Sequence, residues 1–120
     1  MRKPIFNAML GLLAAISLFA TTAFAHHGWS SYDNSKPIKL SGTVTEISYA
    51  YPHATITLDV AGKHWVAVLA PPSRLSSRGI GSADIKVGAQ ATVEGYPSRE
   101  EAGEMRAERI TLDGKVYELR

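Results

Sequence analysis

The 120-residue chain contains no cysteine. That excludes a disulfide framework, a thiolate zinc site and thiol-based catalysis. An excess of one charge is lacking as well. The formal net charge is +2, but Arg2 and Lys3 lie in a segment with the marks of a leader, and without them the remaining Lys and Arg balance the 11 Asp and Glu. A nucleic-acid binder or an acidic-membrane binder is expected to carry a clustered basic excess, so neither class is favoured. Internal repeats, low-complexity tracts and linkers are absent, which fits one small domain with one modest core. Ser30, Ser31, Ser73, Ser76 and Ser77 lack nucleophile-elbow context. Glu100, Glu101, Glu104 and Glu108, interleaved with Arg99, Arg106 and Arg109, are expected to form a solvated loop and an alternating outer face. Carboxylate chemistry on a sugar needs a cleft that desolvates one acid, and a domain of this size offers little of one. The expectation is a binding protein and not an enzyme.

What is present begins with an export signal. Arg2 and Lys3 form a charged start, Ile5 to Ala20 is apolar apart from Asn7, and Ala23-Phe24-Ala25 has the small-x-small form that signal peptidase requires. The apolar run is at the short end for a span of ~20 residues, which favours cleavage over anchoring. The expected organisation is a signal peptide at 1–25, an N-terminal arm at 26–37 and a barrel at 38–120. No second apolar span follows, so the processed product is expected to be free of the membrane and periplasmic in a Gram-negative host; it is also expected to be a monomer.

From Ile38 the text becomes strand-like. Leu40, Gly42 and Val44 alternate, then Ile47 and Tyr49 continue on the opposite parity, which predicts a β-bulge near Thr45-Glu46 and a tight bend at Gly42. Ala54, Ile56, Leu58 and Val60 alternate with polar residues as a half-buried strand. His64 to Leu69 reads as a third strand, ended by Pro71-Pro72. Ser73 is the expected N-cap of a short helix stopped by Gly79. Strands at Gln90–Tyr96 and Met105–Leu112 follow, and Asp113-Gly114 marks a hairpin before Val116–Leu119. The order predicts an all-β, five-stranded OB-fold-like Greek-key barrel with one short helix between strands 3 and 4. An SH3-like barrel or an open β-sandwich is the alternative. OB-folds carry nucleic acid, saccharide, protein and metal sites alike, so the fold alone leaves function open.

The histidines carry the most chemistry. Cleavage after Ala25 frees the α-amine of His26, and that amine and the imidazole Nδ1 can chelate one ion. Near neutral pH both are readily deprotonated, with reference pKa values of ~7.7–8.0 and ~6.5. A further imidazole completes a T-shaped set of three nitrogens, the histidine brace, which suits Cu(II). His53, in the loop between the first two strands, is the best remote ligand, and His27 is auxiliary. Amine, deprotonated amide and the His27 imidazole form an alternative set that needs no fold. His64 is expected opposite Asp59, about five strand residues or roughly 17 Å from His53, and is excluded from the set. The arm must return along the first strand to bring His26 to His53, and its twelve residues span at most ~40 Å. The bland reading is a frayed His-His terminus and a lone loop histidine. Trp29, Tyr32, Tyr49, Tyr51, Trp65 and Tyr96 are either barrel packing or a stacking face for a partner protein, peptide or envelope glycan.

The run His26-His27-Gly28-Trp29-Ser30-Ser31-Tyr32-Asp33, the stretch Leu40-Ser41-Gly42-Thr43-Val44, Pro52-His53 and Lys86-Val87-Gly88 together resemble a family of small exported proteobacterial proteins of unknown function. The resemblance covers essentially the whole chain after the leader and implies a His-His start and an Asn-Pro-His loop. Tyr51 stands where that family has asparagine. His26, His27 and His53 match the pattern and His64 does not; no activity is implied.

Overall fold

The computed structural model describes residues 28–120. The expected signal peptide, together with His26 and His27, lies outside them. No helix among the described residues is long and apolar enough to cross a membrane.

Among the described residues, six strands and one α-helix follow a short 3-10 helix at Gly28–Ser31: β1 (Ile38–Ser48), β2 (Thr55–Val60), β3 (Lys63–Val68), α1 (Pro72–Ser77), β4 (Gln90–Pro97), β5 (Glu104–Leu112) and β6 (Lys115–Glu118). The first half of β1 pairs antiparallel with β4 and its second half with β2. Parallel pairing of Val66–Val68 with Glu104–Arg106 joins β3 to β5 and closes a five-stranded barrel. That closure pairs the β3 edge, which would otherwise be open, with the first half of β5. β6 is an extra strand, paired with the second half of β5 through the Asp113-Gly114 turn. The architecture is the OB-fold-like barrel that strand order and the single helical connection predict.

The devices that bend β1 are where the residues put them. The register slips between Val44 and Glu46, so the buried face moves from Val44 to Ile47. Gly42 lies so close to β2 that a Cβ there would strike the Asp59 carbonyl. Core side chains come from every layer: Val44, Ile56, Leu58, Ala67, Val93, Met105 and Ile110 from strands, with Leu75, Ile80 and Leu119 packed into the same cluster. The Tyr49 hydroxyl donates to the carbonyls of Pro72 (3.2 Å) and Ile80 (2.8 Å), tying the end of β1 to the helical connection.

The helix start differs from expectation. Pro71, and not Ser73, holds the N-cap position, with no side-chain cap, and Pro72 opens the helix. Proline at the first helical position has its φ already set, and the N–H it lacks would have had no intrahelical partner. The pair that ends β3 therefore also starts α1. Gly79, at φ +96, stops it as expected.

Gly42→Ala is expected to cost about 2–3 kcal/mol, because backbone and not a flexible side chain occupies the space. Urea denaturation checks this, and a loss within the ~0.5 kcal/mol typical of neutral surface changes would contradict the close approach.

Candidate functional site

Four segments meet at one end of the barrel: the 3-10 helix, the β1–β2 loop, the start of β5 and the chain's last residue. Arg106 joins them. On β5 it stands between Val68 of β3 and Tyr96 of β4. β4 is drawn tightly against it, since a Cβ at Gly95 would collide with the Arg106 carbonyl. Strand alternation sends Met105 and Ala107 into the core and the Arg106 side chain outward. The residue is nonetheless only 6% exposed. The arm explains the difference, because the Trp29 ring lies over the guanidinium, with 4.5 Å between Arg106 Cζ and the ring centroid. The solvated outer face expected for Arg106 is thus corrected: the position faces outward, but the arm roofs it.

Arg106 Nη2 lies 3.3 Å from His53 Nε2. A guanidinium nitrogen has only hydrogens to offer, so in this contact Nε2 accepts and the imidazole proton resides on Nδ1. His53 follows the cis Tyr51-Pro52 bond and is half-buried. The other half of the guanidinium edge is unused, since Arg106 Nε is buried with no hydrogen-bond partner. Burial holds the Arg106 pKa below its usual value; the Tyr32 charge opposes this, while the Arg74 and Arg120 charges add to the lowering. A cation–π contact contributes about 2 kcal/mol when desolvated, against a burial penalty of several kcal/mol for an ion. The ring alone does not offset the charge.

The arm is fastened by backbone and side chain together. Tyr32 bridges to Ser98 and is buried. The Asp33 amide donates to the Pro97 carbonyl (2.9 Å), the Arg99 amide to the Ser31 carbonyl (3.0 Å) and Arg99 Nε to the Ser30 carbonyl (3.2 Å). Arg120 Cζ also lies 4.5 Å from the Trp29 centroid, and Tyr96 meets Trp29 edge-on at 6.2 Å. The carboxylates of the outward row of β5 are engaged. Glu104 accepts from the Tyr32 hydroxyl at 3.1 Å, while Glu108 accepts from the Tyr96 hydroxyl at 3.1 Å and pairs with Arg120 at 3.3 Å.

Among the predicted ligands, His53 is therefore held at this junction, while His26 and His27 lie outside the described residues. His64 is exposed at the far end of β3, opposite Asp59 as the register predicts. Among the described residues no group of three or more His, Cys, Asp or Glu could hold a metal ion. Tyr49 is committed to the helical connection, and Trp65 packs partly buried against the core. Tyr51 is 69% exposed beside His53. Sequence reasoning missed Arg106. The available signal was its outward parity beside an arm rich in aromatics.

These features define an OB-fold-like barrel with an arm docked on one end. The chain belongs to a family of unknown function, DUF6152, whose model matches residues 14–109. No curated protein matches it in sequence. Among solved structures it is similar to the ZRD-deleted mutant of TiaS in complex with agmatine, with a TM-score of 0.54, 18% identity, and coverage of 72% of this chain and 27% of that one. It is also similar to TiaS in its complex with a tRNA, AMPCPP and agmatine, with a TM-score of 0.50, 18% identity and coverage of 68% and 19%. The chain spans only a fifth to about a quarter of those chains, and the likeness is one of fold.

Burial, then the Glu104 charge and hydrogen bond, push the Tyr32 hydroxyl up to about 12, against a smaller opposing pull from the Arg106 charge. Stabilisation by the neutral hydroxyl is complete below its ordinary pKa of 10.0 and is lost as pH rises through about 12. Between those limits the wild type is expected to lose about 2 kcal/mol more stability in urea than Tyr32→Phe. Parallel pH profiles would contradict the burial of this hydroxyl.

Proposed function

We propose that the chain is an exported, non-catalytic binding protein that holds a copper-type ion through His26 and His53, with His27 auxiliary, for storage, delivery or sensing. One observation carries the reading. The arm is fastened so that Trp29 stands over the guanidinium that touches His53. Trp29 follows His26 by only three positions, and a stretch of that length reaches at most ~11 Å. The arm need not run back along β1: Tyr32 and Asp33 pair with Ser98 and Pro97 beside the start of that strand, and β5, paired there with β4 and β3, sets this end of the barrel next to the β1–β2 loop. Amine and imidazole nitrogens in a tetragonal set favour Cu(II) among the divalent first-row ions.

An ion at His53 Nε2 takes the lone pair that Arg106 now uses, so binding displaces Nη2 and disturbs the Trp29 ring above it. Trp65→Phe leaves Trp29 as the sole indole. In that background Cu(II) is expected to quench emission with a one-to-one end point on protein beginning at His26. His53→Ala, or one extra residue ahead of His26, is expected to weaken binding at least tenfold, about 1.4 kcal/mol. Unchanged affinity in both would defeat the two-point site.

A metal-free reading is favoured by a separate feature. A groove of about 250 Å³ is lined by Trp29, Tyr96, Arg99 and Arg120 among others, and Tyr51 is exposed. Aromatic and guanidinium groups together suit a partner protein, peptide or envelope glycan. On this reading Tyr96→Ala and Tyr51→Ala impair the cellular phenotype of the protein while His53→Ala does not.

A further inference from the structure

Arg106 is in none of the ion pairs among the described residues, although it is only 6% exposed. The acids that flank it on the outward row of β5 are engaged elsewhere, Glu104 by Tyr32 and Glu108 by Tyr96 and Arg120. The nearby charges of Arg74 and Arg120 are of its own sign. Nearly buried guanidiniums are ordinarily paired with an acid. Here the group has an aromatic ring, a neutral imidazole and an orphaned Nε instead.

We infer that Arg106 is the base of an oxoanion site, in which a carboxylate-bearing ligand accepts from Nε and Nη2 beneath the Trp29 ring. Those two nitrogens form one edge of the guanidinium and match the two oxygens of a carboxylate. Nε is buried and unpartnered, and Nη2 is held by a 3.3 Å contact to His53. Arg74 and Arg120 add attraction for a negative ligand. Entry is from the side that Trp29 covers, and the 3-10 helix carrying that ring has no fully buried residue. This site shares the Arg106–His53 contact with the metal reading, but it asks for an anion and uses the guanidinium as donor.

The test uses ¹⁵N-labelled, metal-free protein beginning at His26, titrated separately with sodium acetate, inorganic phosphate and, at matched ionic strength, sodium chloride. The expected result is a saturable shift of the Arg106 Nε–H and Trp29 indole signals with an oxoanion and none with chloride. Tighter saturation by acetate assigns a carboxylate, and tighter saturation by phosphate overturns that assignment. Arg106→Lys keeps the charge but loses the fork, and is expected to weaken the Trp29 response at least tenfold. If that variant does not fold, the Nε–H signal of the unmodified protein decides alone. No saturable shift of that signal, or an undiminished Trp29 response in folded Arg106→Lys, overturns the inference. Because no metal is present, copper binding stands or falls independently.

Discussion

Arg106 leaves β5 on its outward face, and the junction of arm, loop and barrel is arranged around its charge. Trp29 covers the guanidinium, His53 accepts from one of its nitrogens, and Tyr32 and Arg120 flank it. An exposed arginine at this place would leave Trp29 without its contact to β5 and the His53 ring without this donor. Buried, it joins the arm to the loop that bears His53. The guanidinium can do this because it offers flat faces for a ring and fixed N–H donors for an imidazole at once.

The barrel supplies rigidity for that arrangement. β5 is gripped on both sides at Arg106, by the parallel pairing to β3 and by the antiparallel pairing to β4. A register slip at Glu94/Gly95 and the lack of a side chain at Gly95 let β4 follow β5 closely there. On the opposite strand of the barrel, the slip in β1 carries the chain from β4 to β2 and delivers it to the loop that bears His53. Two local irregularities thus fix where the loop and the arginine stand relative to each other.

Much of this fold was legible because β-structure writes itself in parity. The change of phase after Val44, the proline pair, the glycine after α1 and the Asp113-Gly114 turn each correspond to a feature of the structure. Asp59 opposite His64 follows from counting back around the Ala61-Gly62 turn. The role of Arg106 was not legible, because parity says only that a residue points away from the core. Whether solvent or another segment lies there depends on the arm, whose Trp29-to-Asn34 stretch has no periodicity. Ser73 misled for a different reason: a good capping residue inside the first turn yields to a proline pair that places the cap two positions earlier, at Pro71.

The docking of the arm through Trp29 and Arg106 is tested most directly by a double-mutant cycle in urea, with Trp29→Ala, Arg106→Gln and the pair. A coupling energy of at least about 1 kcal/mol is expected for a desolvated ring-and-guanidinium contact. Effects that add to within ~0.3 kcal/mol would show that the ring and the guanidinium do not hold each other.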